Sequence, residues 1–310
     1  MRSTAGERLA GAAYALGWAA VRWVPERPAL AVFRLIADVA WRRRGKGVRQ
    51  LEANLARVVG PDADGNGLRR LSRAVMRSYS RYWLEVFRLP AMGSERILSG
   101  MRIQGVEDVF ANLRAGRGVV LALPHMGNYD HAGAWIVLSG APFTTVVQRL
   151  RPESLFDRFV AFRESLGMEV IALTGGERDV FGQLARRLRS GGLVCLVADR
   201  DITASGVEVE FFGEPARMPA GPALLAMQTG AALMPVTLWY EGDCWGVRVH
   251  EEVPVPAEGD RKQKVAAVTQ ALARVFEAGI AEHPQNWHML QRLWLADLDE
   301  RVPKGAGAAE

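Results

Sequence analysis

Residues 118–135 read GVVLALPHMGNYDHAGAW. Six small or apolar residues, 118–123, have the length and composition of a buried strand. Pro124 stops the run, His125 follows, and Gly127-Asn128 supplies turn chemistry before a helix predicted over 131–139. A strand, a short loop and a helix make the unit from which open α/β sheets are built. Such sheets hold their ligands in the loops beyond the carboxyl ends of the strands. His125 and Asp130 both fall in this loop region.

The same alternation continues outward. Strands are predicted at 118–123, 143–147, 168–172, 193–198, 207–212, 233–239 and 245–250. Helices are predicted at 131–139, 153–166, 178–189, 221–229 and 262–282. This pattern predicts an α/β fold, a central mixed sheet flanked by helices on both faces. Met218-Pro219-Ala220-Gly221-Pro222 reads as the start of a helix, with Pro222 tolerated in the first turn. Upstream, residues 1–60 are rich in Ala, Leu and Val. Leu71, Val75, Met76, Tyr79, Trp83 and Phe87 mark one helical face over 68–89, which Pro90 ends. The expected organisation is one domain over 1–302, with a helical part at 1–90 and an α/β core at 101–295. A disordered tail is expected at 303–310.

The chain of 310 residues is 49% hydrophobic and 24% charged, an ordinary globular balance with a net charge of +5. Of its 39 basic residues only Lys46, Lys262, Lys264 and Lys304 are lysines. Arginine forks suit phosphate and carboxylate oxygens, so anionic headgroups or a phosphorylated co-substrate are expected partners; a solvated basic surface is the plainer reading. Trp18, Trp23 and Trp41 lie among apolar residues close to arginines, as at a membrane interface. The apolar run Leu9–Val21 is too short to span a bilayer and lacks a signal-peptide cleavage site. An interfacial helix is expected there, or a helical hairpin packed on the domain. Cys195 and Cys244 form neither a disulfide framework nor a metal site, and buried reduced thiols are expected. No P-loop, dinucleotide fingerprint, HExxH or nucleic-acid signature is present, so no cofactor, metal or nucleic acid is expected.

His125 and Asp130 are five residues apart, which on one regular helix would leave them about 140° apart. They meet only if His125 lies in the loop and Asp130 in the first helical turn. Asp130 would then fix the ring tautomer, leaving the other nitrogen to take a proton. A buried structural His–Asp hydrogen bond is the alternative. His131, His250, His283 and His288 are read as packed, structural residues. The nucleophile elbow G-x-S-x-G is absent and neither cysteine adjoins a histidine in sequence, which disfavours an acyl-enzyme.

His125 and Asp130 also resemble the HX4D motif of the glycerolipid and lipid A acyltransferase superfamily. Six segments, one of them holding the motif, widen the likeness to most of the chain: RYWLEVFRLPAM (81–92), LALPHMGNYDHAGAW (121–135), RPESLFDRFVAFRESLGMEV (151–170), LTGGERD (173–179), FFGEPARMPAGPALLA (211–226) and NWHMLQRLW (286–294). They resemble the branch that holds late lipid A acyltransferases and phosphatidylinositol mannoside acyltransferases. The resemblance implies that His125 is a general base, that Asp130 orients it, and that Asp199 is a third acidic residue. Mannoside enzymes typically carry Glu where this chain has Asp199, so its reach is shorter by about one methylene. Arg149, Arg163, Arg200 and Asn128 are implied substrate-binding residues, with surface ion pairing the alternative for the arginines.

The implied reaction moves a palmitoyl-type group from acyl-CoA, as co-substrate, to a mannose hydroxyl of a phosphatidylinositol mannoside. The implied setting is a peripheral monomer on an anionic membrane surface, at the cytoplasmic face. Alternatives are another glycolipid or a lysophospholipid as acceptor, a non-catalytic lipid-binding protein, and a thioesterase.

Overall fold

The structure, a computed structural model, describes residues 21–61, 64–148, 153–172, 179–201 and 206–299. The first helix, α1 (Glu26–Arg43), carries Arg42 and Arg43 in its last turn, where cations favour the helix dipole. It is followed by α2 (Lys46–Val59) and α3 (Gly65–Arg88). The α3 helix starts earlier than its apolar spacing predicts, because Asp64 caps it by accepting from the Gly67 N–H. It gives way at Leu89–Ala91 to a 3-10 turn containing Pro90. Leu51, Leu55 and Val75 pack a small core between these helices. Trp41 is drawn into that layer: its Nε1 donates to Ser72 Oγ at 2.9 Å, and Arg69 stacks over its ring. Trp23, by contrast, is 88% exposed. Trp18 and most of Leu9–Val21 lie outside the described residues, as does the 303–310 tail.

Next come α4 (Ser94–Ser99), β1 (Met101–Gln104), α5 (Val106–Arg114) and β2 (Val119–Leu123). They are followed by α6 (Tyr129–Leu138), β3 (Phe143–Val147), α7 (Glu153–Ser165) and β4 (Glu169–Ala172). Then come α8 (Val180–Arg189), β5 (Leu193–Val197), β6 (Val207–Phe211) and β7 (Glu214–Met218). The chain continues through α9 (Gly221–Thr229), β8 (Ala232–Glu241), β9 (Cys244–Val249), α10 (Arg261–Glu282) and α11 (Leu295–Asp299).

Seven strands form a mixed sheet in the order β1-β9-β8-β2-β5-β3-β4. Only β8 and β9 pair antiparallel; the other neighbours are parallel. Every residue of β2 is buried, as expected of a central strand covered on both faces. On one face, Gly133 of α6 lets the helix close on Phe143 and Met168, where a Cβ would clash. On the other, Gly279 of α10 rests against Thr237. The predicted strand at 207–212 does not join this sheet but pairs with β7 as a separate antiparallel ribbon. Two strands escaped the sequence reading. β1 is a four-residue edge strand, and β7 contains Pro215, which argues against a strand in sequence.

Among the described residues no helix is long and apolar enough to cross a membrane. Cys195 and Cys244 are free, and burial pushes the Cys195 thiol well above its usual range.

Candidate active site

The end of β2 delivers His125 through Pro124 into a loop that must turn sharply. Gly127 makes the turn at φ +59°, and its bare Cα packs where a Cβ would lie 2.7 Å from Leu238 Cβ. Its N–H donates to Asn286 O at 2.9 Å. Asn128 then caps α6, its Oδ1 accepting from the His131 N–H at 2.9 Å. The other end of the Asn128 amide donates to Glu85 Oε2 at 2.6 Å. Both ends of this side chain are thereby used inside the protein, and it does not line the cavity described below. Asn128 shapes the loop from within, rather than reaching toward a ligand as expected.

His125 is not paired with Asp130. Its Nδ1 lies 2.5 Å from Asp199 Oδ1, and its backbone N–H donates to Asp199 Oδ2 at 2.9 Å. A carboxylate can only accept, so Nδ1 carries a proton, and in the neutral ring the lone pair is on Nε2. The side chain of Asp199 is fully buried, whereas that of His125 is 34% exposed. Burial opposes charge on Asp199. It is outweighed by the nearby His125 ring and its hydrogen bond, by the Trp287 N–H at 3.0 Å, and by the His125 N–H. The carboxyl is therefore held below its usual range.

Strand register explains the pairing. Leu123 of β2 lies level with Val197 of β5 in a parallel ladder. His125 and Asp199 each stand two residues beyond those partners, so adjacent strand ends bring them together.

Asp130 sits in the first turn of α6 and binds elsewhere. It accepts from Arg163 Nε at 2.7 Å and Nη2 at 3.2 Å, and from the Tyr82 hydroxyl at 2.7 Å. The Tyr82 hydroxyl also lies 2.8 Å from that of Tyr129. Arg163 is thus committed to a buried ion pair that ties α7 to α6, where a substrate-binding role was expected. Arg149 lies outside the described residues. Arg200 follows Asp199 and lines the cavity, and its buried Nε–H has no partner among the described residues. Sequence reading also missed Tyr82, Tyr129 and Trp287. Each lies in a segment already singled out, but nothing in one sequence marks which side chain turns inward.

His125 faces a cavity of about 740 Å³, within the range of about 300–1,000 Å³ usual for ligand sites. Period-two alternation places Leu121, Val236, Leu238, Val247 and Val249 on one face of the sheet, and all of them line it. Phe156 and Phe159 of α7 and Leu224 and Leu225 of α9 extend the apolar wall. Polar groups on the wall include Tyr82, His125, Tyr129, Asp130, Thr145, Gln148, Arg163, Arg200 and Asp201. Pro219 to Pro222, predicted to start a helix, do so and line the cavity too. The remaining histidines are packed. His131 stacks on Trp245, His283 stacks on Trp239, His250 bonds Thr237, and His288 bonds Ser78. Among the described residues no group of His, Cys, Asp and Glu is arranged to hold a metal ion.

A buried acid, an imidazole with a free Nε2 and a large apolar cavity can together deprotonate a hydroxyl beside a long hydrocarbon chain. The profile of the family described as bacterial lipid A biosynthesis acyltransferase matches residues 6–296. A phosphatidylinositol mannoside acyltransferase of Mycolicibacterium smegmatis (strain ATCC 700084 / mc(2)155) is 53% identical over 298 residues, 96% of this chain and 95% of the relative. Proteins of the same name from Mycobacterium tuberculosis strains CDC 1551 / Oshkosh and H37Rv are each 50% identical over 296 residues, 93% of this chain and 89% of theirs. The chain belongs to the lipid A biosynthesis acyltransferase family, and it is an acyltransferase.

Proposed function

We propose that the protein transfers a long-chain, palmitoyl-type acyl group from acyl-CoA to a mannose hydroxyl of a phosphatidylinositol mannoside. The observation that carries this reading is the His125–Asp199 pair at the wall of a large apolar cavity. Asp199 holds the Nδ1 proton, so Nε2 takes the proton of the acceptor hydroxyl as its oxygen attacks the thioester carbonyl. The tetrahedral intermediate collapses with loss of the CoA thiolate, and the proton on His125 passes to that leaving group. The His131 N–H is taken by Asn128 Oδ1, so the Tyr129 and Asp130 N–H groups at the start of α6 are the donors assigned to the oxyanion. The acyl chain lies along the apolar wall. Arg200, whose buried Nε–H has no partner among the described residues, suits a phosphate of the donor or the acceptor. The mannoside acceptor follows from the names of the relatives.

The substrates are lipids, and α1 offers a surface for them. Val32, Leu35, Ile36 and Val39 are exposed on it, with Arg27, Arg34, Arg42 and Arg43 on the same helix. Apolar side chains flanked by arginines suit an anionic bilayer surface, on which the protein works as a peripheral enzyme at the cytoplasmic face.

The test incubates purified protein with radiolabelled palmitoyl-CoA and a panel of inositol mannosides, phosphatidylinositol and lysophospholipids, beside His125→Ala. Label is expected on a mannoside with wild type alone. Label released only as free palmitate, or transfer undiminished in His125→Ala, would overturn the reading.

A further inference from the structure

The segment Asn286-Trp287-His288 grips the loop that carries His125. Asn286 O accepts from the Gly127 N–H at 2.9 Å, and the His288 N–H donates to His125 O at 2.7 Å. Met126 and Trp287 form an antiparallel bridge between these bonds. The loop thus gains a short strand partner from a segment some 160 residues later in the chain. Trp287 is fully buried, held edge-on to Phe211 and Trp294, and its Nε1 donates to Asp199 Oδ2 at 3.0 Å.

The two oxygens of Asp199 are therefore used differently. Oδ2 receives the Trp287 indole and the His125 backbone N–H, and Oδ1 receives the His125 ring. With Oδ2 held by two donors, rotation of the carboxylate is blocked, and Oδ1 alone points at the imidazole. Each donor also draws negative charge away from the side of the carboxylate that faces the ring.

We propose that Trp287 is a positioning residue for acyl transfer: its indole N–H orients Asp199 and sets how strongly that carboxylate supports a protonated His125. This rests on His125 acting as the base. Trp287 touches neither substrate nor His125 Nε2; it acts through Asp199.

Trp287→Phe keeps an aromatic ring and removes the N–H. Trp294→Phe is the control. It removes an equally buried indole N–H, one that donates to Phe211 O at 2.9 Å rather than to Asp199. In Trp287→Phe, kcat is expected to fall about tenfold with KM little changed, the size of one hydrogen bond to a charged group. The freed carboxylate pulls harder on the imidazolium, so the acid limb of kcat/KM moves to higher pH by about half a unit. The 15N shift of His125 Nδ1, read in protein labelled at its five histidines, is expected to move with it. Trp294→Phe loses stability but leaves both readouts where they were. If Trp287→Phe folds poorly, benzothienylalanine at position 287 keeps the ring shape without the donor and should give the same shifts. A pH limb and an Nδ1 shift unmoved in the position-287 variants would overturn the proposal and leave Trp287 as core packing. Transfer that survives His125→Ala would overturn the base assignment instead, and the Nδ1 shift would still decide whether Trp287 holds Asp199.

Discussion

Asp130 and Asp199 are both buried carboxylates close to one histidine, and they do opposite work. Asp130 lines the cavity, yet its oxygens are taken by Arg163 and Tyr82. Asp199 is hidden behind His125, yet the ring it holds faces the cavity. The residue nearer in sequence braces three helices, and the residue 74 positions away holds the His125 ring. Nearness along a chain says little about which acid serves a base; strand order says more.

The largest effect that sharpens this contrast is expected from Asp199→Asn. The amide presents a donor where Nδ1 needs an acceptor, so the ring adopts the wrong tautomer. The rate of label transfer should fall by about 10³–10⁴-fold, with the thermal melt little changed. Asp130→Asn should show the reverse balance. It leaves Arg163 buried without its counter-charge, at a cost of about 3–5 kcal/mol in urea unfolding. Its kcat should fall by less than that of Asp199→Asn. Equal kinetic losses in the two variants would break the division of labour.

Acid tests both regions at once, because each contains a buried neutral histidine. Burial lowers His131, beside Asp130, to about 4. Burial, then the neighbouring His125, lowers His288 to about 3. Unfolded, each would titrate near 6.5. Between those limits the unfolded chain binds more protons than the native one. Stability therefore falls as pH drops below about 6.5, by about 1.4 kcal/mol per unit for each histidine, and the loss levels off near pH 3 to 4. His131→Phe, which keeps a ring against Trp245, should remove about 1.4 kcal/mol per pH unit from that slope in urea titrations between about pH 4 and 6.5, while His288, His250 and His283, all lowered by burial, keep their share. An unchanged slope would mean that His131 is protonated in the fold. The smallest effect is expected from Tyr82→Phe. It removes one of the three hydrogen bonds to Asp130 and should cost about 1–2 kcal/mol, with the pH–rate profile unmoved.

Much of the fold was legible because its elements obey local rules. The run 143–147 is a strand to the residue, and Gly221–Thr229 is a helix with proline in its first turn. What escaped were elements whose local signals are weak: β1, four residues at an edge, and β7, interrupted by Pro215. Of the expected site residues, His125 and Asp199 are brought together, and Asp130 and Arg163 are brought together with each other. The pairing His125–Asp130 was inferred from spacing within one loop. The partner found instead depends on β2 and β5 being neighbours, a non-local fact that composition and periodicity do not carry. One signal was available. Both strands end in an apolar run, and the polar residues His125 and Asp199 follow at the same offset, as expected when adjacent parallel strands end side by side.

The level alignment of Leu123 with Val197 has an engineering consequence. The His125–Asp199 pair is placed by two coordinates, an offset beyond each strand end and a shared register, and the Gly127 turn and the Asn286–His288 segment then hold it there. Inserting a single residue into either strand would dismantle it outright, because the slip turns one of the two side chains to the opposite side of the sheet.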